Sequence, residues 1–307
     1  MDRREFLSLS SFATVSLALP GIAKAENIEQ PGSFDFIYVT DTHIQPELSA
    51  TEGCVSCFRK IRTLRAEFAI QGGDHVYDAL GVSHQRANAL YDLYEHTEQS
   101  LGMKIHHVIG NHDVFGVSSQ NGASPHDLGF GKAMYEERMG RTYYSFDHKG
   151  YHFIVLDSIQ IVDPTTWQGG VDVAQLAWLR RDLASLREGI PIVVIVHVPL
   201  VTGALSYVPA KTRRDSLMFV INANEVLSLW QGKNVLAVFQ GHTHINEVVT
   251  FRGIPYVSCG AVCGSWWRGP RLGTPEGFTV VRLHEGKIEW HYETYGFRSV
   301  NPDGREV

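Results

Sequence analysis

The residues best able to do chemistry in this 307-residue chain fall into short clusters that mix carboxylate, imidazole and amide. In order they are Asp41-Thr42-His43, Gly72-Gly73-Asp74, Gly110-Asn111-His112-Asp113, His197 and Gly241-His242-Thr243-His244. Such donors suit borderline or hard divalent metals, and no thiolate stands among them. In extended chain, residues i and i+2 point the same way, so Asp41 and His43 can grip one ion. His242 and His244 share that spacing, and a turn there could direct them to neighbouring ions. The glycines before Asp74, Asn111 and His242 permit the tight backbone that brings donors close. Singly these signals are weak: Asp-x-His arises often by chance, and an isolated histidine is usually a core or surface residue. Gly-Asn-His-Asp and Gly-His-Thr-His are more specific, and the whole ordered set is more specific still.

Each cluster follows an apolar run, at 34–40, 68–71, 105–109, 192–196 and 235–240. Their lengths, β-branched content and Gly or Pro boundaries predict buried strands. Helix-like segments lie between them at 54–64, 84–101, 174–187 and 219–230. Hairpins are expected where 143–146 meets 151–156, 248–251 meets 254–258, and 278–283 meets 288–293. This alternation predicts an α/β fold of two mixed β-sheets packed face to face with flanking helices. Sites in open α/β arrangements collect at the carboxyl ends of strands, which is where the donors fall.

A composition of 44% apolar and 20% charged residues is that of a globular protein. The net charge of −6 argues against a nucleic-acid polymer as partner, since that surface needs clustered Lys and Arg. That leaves small or neutralised substrates as the better expectation. Residues 1–25 read as an export signal: Arg3-Arg4-Glu5-Phe6-Leu7 opens it, a short apolar stretch runs to Leu19, and Ala23-Lys24-Ala25 fits cleavage before Glu26. The paired arginines point to the twin-arginine export machinery, hence to a bacterial periplasmic or secreted protein with no stable membrane span after cleavage. No repeat, low-complexity tract or linker divides residues 26–307, which are read as one domain with a β-rich C-terminal part. Cys54, Cys57, Cys259 and Cys263 are open to three readings: a four-thiolate zinc site, disulfides, or buried free thiols.

The ordered metal motifs resemble those of the calcineurin-like metallophosphoesterases over about residues 34–250. The resemblance implies a hydrolase of phosphoester bonds, phosphodiesters in the first instance, built on a calcineurin-like four-layer sandwich. It assigns Asp41, His43, Asp74 and His244 to one metal, and Asp74, Asn111, His197 and His242 to another. The ions would be divalent or of mixed valence, manganese, iron or zinc, with a bridging hydroxide. Two such ions outweigh the charge of Asp41 and Asp74, so the site attracts phosphate. His112, next to Asn111, is expected to protonate the leaving oxygen, with Asp113 orienting its ring. Arg141-Thr142-Tyr143-Tyr144-Ser145-Phe146 looks like the bacterial class III cyclic nucleotide phosphodiesterase branch. Gly73-Asp74-His75-Val76-Tyr77 also matches purple acid phosphatases, which makes a phosphomonoesterase the alternative. The presence of His43 argues against Tyr77 as a ligand. A binding module that keeps the fold without turnover is the remaining alternative, although every expected ligand is present.

Beyond the last donor, Gly264-Ser265-Trp266-Trp267-Arg268 offers stacking faces and a guanidinium. Trp266, Trp267 and Arg268 are therefore expected to form a substrate wall, the alternative being a loop that covers the core. His75, His106 and His107 are expected to be structural or on the surface.

Overall fold

The computed structural model describes residues 31–208 and 215–300; the export segment lies outside them. The chain opens with β1 (Phe34–Val39), α1 (Ala50–Ile61), β2 (Phe68–Gln71), α2 (His84–Glu98) and β3 (Lys104–His107). Then come α3 (Ala133–Met139), β4 (Tyr144–His148), β5 (Tyr151–Leu156), β6 (Ile159–Asp163), β7 (Thr166–Gly169), α4 (Val173–Ser185) and β8 (Ile192–Val196). The last part holds α5 (Asp215–Met218), α6 (Ala223–Leu229), β9 (Val235–Gln240), β10 (Glu247–Phe251), β11 (Ile254–Ser258), β12 (Gly277–His284) and β13 (Lys287–Thr294).

A five-stranded sheet has the order β13-β12-β1-β2-β3, and a six-stranded sheet the order β10-β11-β9-β8-β5-β4. The central strands β1, β2 and β3 run parallel, as do β5, β8, β9 and β11. Antiparallel hairpins finish the sheets through β12–β13, β4–β5 and β10–β11. The mixed α/β fold with two large sheets is the one expected.

Side-chain alternation explains why the sheets stack. In β1, Phe34, Phe36 and Tyr38 face the layer between the sheets, while Ile37 and Val39 face the helices. In β8, Val193 and Ile195 face the inter-sheet layer, and Ile192, Val194 and Val196 face the helices. Both faces are thus apolar, which is why these strands read as continuous runs. Phe36 stacks on Phe68 at 5.4 Å and meets Phe153 edge-on at 5.6 Å, linking one sheet to the other. With both sheets aligned, the carboxyl ends of β1, β2, β3, β8 and β9 open onto one rim.

Helices α3 and α5 and the β6–β7 hairpin escape the sequence reading. Helix α1 also begins four residues before the predicted start at Cys54. Cys54 and Cys57 sit one turn apart on its buried face, and all four cysteines are buried free thiols in this structure. Among the described residues, no helix is long and apolar enough to cross a membrane.

Candidate metal centre

The backbone leaves each of these strands under constraint. Asp41, His43, Asp74, His242 and His244 all have positive φ, between 38° and 70°. That region is unfavourable for residues with a Cβ and is tolerated best by Asn, Asp and His, so its recurrence here marks a built site. Close approach also requires glycine. A Cβ on Gly110 would lie 2.2 Å from the Asp74 amide nitrogen and from its Oδ1, and one on Gly241 would lie 2.3 Å from Thr40 Oγ1.

The donors converge. His244 Nε2 lies 3.2 Å from Asp41 Oδ1, and His43 Nε2 lies 3.4 Å from Asp74 Oδ2. His197 Nε2 lies 3.2 Å from the same Asp74 oxygen. Asp74, His197 and His242 bring ligand atoms within 4.8 Å of one another. Asp74 thus faces both the His43 side and the His197 side, as a bridging carboxylate must.

Each imidazole is held by its other nitrogen. His43 Nδ1 donates to the Tyr77 carbonyl (3.3 Å), His197 Nδ1 to Gly72 (2.8 Å), His242 Nε2 to Leu217 (2.7 Å) and His244 Nδ1 to Gly264 (2.6 Å). Such outer bonds fix the orientation of each ring and turn its opposite nitrogen inward. In consequence His43 Nε2 and His244 Nε2 turn lone pairs toward each other at 3.2 Å. That contact repels unless one ring takes up a second proton or a cation lies between the rings. Asn111 Oδ1 and His197 Nε2 are buried without a hydrogen-bond partner, another departure that a metal ligand removes. The residues present therefore fit a metal centre of oxygen and imidazole donors.

Charge reinforces the geometry. Burial pushes His43 down to about 3. Burial, helped by His197, takes His242 down to about 4. Both rings are therefore neutral, with a lone pair to give. Burial opposes ionisation of Asp41, but His244 and His197 outweigh it and hold the carboxyl at about 2. Asp74 is held well below the carboxylate range against the effect of burial, chiefly by His197 and His112. His197 is raised to about 9 despite burial, by Asp74 and then Asp41. A metal taking Nε2 must displace that proton.

His112 sits at the rim, 27% exposed, with its ring 4.8 Å from that of His43. Its backbone N–H donates to Asp74 Oδ1 at 2.8 Å. Burial disfavours its charge, but the carboxylates of Asp74 and Asp78 outweigh this and raise its pKa. With His43 and Asp74 it also brings ligand atoms within 4.8 Å.

The structure corrects the role expected for Asp113. Its carboxylate does not touch His112. It accepts the backbone N–H groups of Asp74 (3.0 Å), His75 (2.8 Å) and Gly110 (2.9 Å), and the His75 ring at 2.8 Å. Asp113 thus ties the loop after β2 to the loop after β3. The carboxylate facing His112 is Asp78, 3.6 Å from Nδ1, on the loop that carries Asp74. An acidic residue four positions after a bridging aspartate was the signal that could have found it. His75 is structural, bonded to Asp113 on one side and to His107 Nδ1, 3.1 Å away, on the other.

A second correction concerns the loop after β11. Trp267 is fully buried, and its Nε1–H reaches the carbonyls of Thr42 (3.1 Å) and His43 (3.0 Å). Its ring fills the space beside Gly53, where a Cβ would come within 2.2 Å. Trp267 is a core residue that clamps the Asp41–His43 segment and forms no part of a substrate wall. Trp266 behaves differently. Its ring lies 4.6 Å from that of His244 and 5.9 Å from that of His43, so it flanks the donors. Arg268 follows, half-buried, but the guanidinium over the Trp266 ring is that of Arg271, at 5.5 Å. The exposed Tyr77 side chain, at 38%, belongs to the residue whose carbonyl holds His43.

Comparison with known proteins agrees with this geometry. The family profile "Calcineurin-like phosphoesterase" matches residues 34–246. Among solved structures, a dimetal phosphatase from Danio rerio aligns at 17% identity with a TM-score of 0.58, covering 87% of this chain and 100% of that one. A purple acid phosphatase from yellow lupin seeds aligns at 13% identity and TM-score 0.57, over 87% of this chain and 52% of its own. The anchor in the inner membrane complex of Plasmodium aligns at 16% identity and TM-score 0.54, over 90% of both chains. At these identities the likeness concerns the fold alone. No curated protein matches the chain.

Proposed function

This chain belongs to the calcineurin-like phosphoesterase family, and from that premise we propose that it hydrolyses phosphodiesters at a two-metal centre. The observation that carries the metal centre is the pair of inward lone pairs on His43 and His244, 3.2 Å apart, beside carboxylates held ionised. Asp41, His43, Asp74 and His244 would hold one ion, and Asp74, Asn111, His197 and His242 the other. Ions of the manganese, iron or zinc kind supply positive charge for phosphate oxygens and acidify an attacking water.

The chain's own residues do the rest. His112, whose charged form Asp74 and Asp78 favour against the effect of burial, stands at the open rim, where it donates a proton to the departing ester oxygen. Trp266 supports the choice of a diester, because its ring beside the His43 and His244 donors gives a second substituent an apolar surface. A phosphomonoesterase is the second reading, favoured by the Gly73-Asp74-His75-Val76-Tyr77 pattern. Purified protein loaded with each metal and assayed against paired mono- and diesters separates the two. Higher kcat/KM for diesters supports the proposal, and turnover of monoesters alone overturns it. The Arg3-Arg4 segment and Ala23-Lys24-Ala25 support twin-arginine export to the periplasm or medium. Intact mass of the exported protein should then correspond to a chain starting at Glu26.

A further inference from the structure

Arg271 is a half-buried cation without an assigned task. Its Nε is shielded from solvent and has no hydrogen-bond partner, and among the described residues no carboxylate pairs with it. Burial depresses its pKa with no compensating anion. Buried donors of this kind are normally satisfied.

The guanidinium is also fixed close to the metal donors. It lies 5.5 Å from the centre of the Trp266 ring, which lies 4.6 Å from the His244 ring. Trp266 itself has a φ of 49°, a left-handed conformation unusual for an aromatic residue. The loop is fastened at several points: Ser265 N–H to the Gly269 carbonyl (2.8 Å), Trp267 N–H to Cys263 (2.7 Å), and a reciprocal pair between Arg271 and Thr274 (2.8 Å each). Cys263 N–H bonds the Asp41 carbonyl and the Gly264 carbonyl accepts from His244. The ligand loops and the Arg271 loop therefore form one connected piece.

We propose that Arg271, braced on Trp266, is a specificity-determining residue that selects phosphoesters bearing a second anionic group. This rests on the phosphoesterase reading of the same site. The planar fork of arginine suits a carboxylate or a phosphate. A substrate with one phosphoester at the metals and another anion several atoms away would meet both.

The test compares two phosphonates that differ in one charge, propylphosphonate and 3-phosphonopropionate, as inhibitors and by calorimetric binding to the metal-loaded protein. Wild type should bind 3-phosphonopropionate roughly 10- to 100-fold more tightly, the scale of a hydrogen bond to a charged group. Arg271→Gln should erase that ratio, and Arg271→Lys, which keeps the charge without the fork, should restore part of it. Thermal melts confirm that both variants are folded, and Trp266→Phe, which keeps an aromatic brace, should preserve most of the ratio. Equal binding of the two phosphonates by wild type, or an unchanged ratio in folded Arg271→Gln, overturns the proposal while leaving phosphoesterase activity standing. Absence of turnover of any phosphoester, with no phosphonate binding, overturns the phosphoesterase reading and this proposal with it.

Discussion

Replacing Asp113 by Asn tests whether this carboxylate builds the metal cradle or serves His112. The amide keeps one acceptor oxygen. With that oxygen at the Oδ2 position, the bonds from Asp74 N–H, Gly110 N–H and the His75 ring survive. The amide NH2 then faces the His75 N–H, which the carboxylate met at 2.8 Å, and the Val76 N–H, met at 3.4 Å. Leaving one buried donor unmet costs about 1–3 kcal/mol, and the surviving bonds lose the strength that an ionised acceptor lends them. A loss of about 2–4 kcal/mol follows, which for a chain of this size lowers Tm by roughly 3–7 °C. Because the Asp74 and Asn111 loops are joined through Asp113, metal affinity should fall roughly 10- to 100-fold as well. Calorimetric melting and metal titration of Asp113→Asn measure both quantities. A variant with wild-type Tm and metal affinity but a large loss of turnover would refute this account and return Asp113 to a role on His112.

Asp74→Ala should remove a shared anionic donor and lower the metal content of both positions, and elemental analysis retaining two tightly held ions per chain would count against the bridge. Metal uptake should release a proton from His197, so affinity should rise with pH until about 9; calorimetry in buffers of different ionisation enthalpy reads that proton directly. His112→Ala should retain both metals and lose roughly 10²–10⁴ in kcat, least for esters with good leaving groups. Its alkaline limb follows from the raised pKa: activity that needs the proton persists at lower pH and falls as pH rises through the raised value, and Asp78→Asn should bring that fall to lower pH. Away from the site, His152 lies between Asp147 (2.6 Å) and Asp182 (2.9 Å), which raise its pKa against the effect of burial. The stability it lends is therefore complete below the ordinary imidazole value of about 6.5 and is lost as pH rises through the raised one. His152→Gln should flatten that part of the Tm–pH curve.

The sequence made the strands legible because central strands buried on both faces are continuous β-branched runs, as at Ile192–Val196. It made the donors legible because metal ligation restricts residue type and because strand ends restrict position. What stayed hidden depended on contacts across long separations. Nothing near Trp267 announces that its ring lies against Gly53, and nothing near Asp113 announces His75. Their sequence neighbours point instead to a substrate wall for Trp267 and to His112 for Asp113, and the structure shows other contacts for both. Helix α3 and the β6–β7 pair were missed for another reason: both are short, and the latter has a register irregularity between Ile161 and Asp163. Such segments carry too little periodicity to separate strand from loop.

The donors are divided between the two sheets. Asp41, His43, Asp74 and Asn111 follow strands of one sheet, whereas His197, His242 and His244 follow strands of the other. Neither half owns a complete set, and the imidazoles that complete it lie latest in the chain. A chain growing from its amino end lacks His242 and His244 until β9 and the turn beyond it exist. Metal retention would then be a report on assembly, because ions bound as proposed could lodge firmly only after the two sheets have closed on each other. Ions held in that way would tie position 41 to position 244, a crosslink across most of the polypeptide that must break before the folded chain can open.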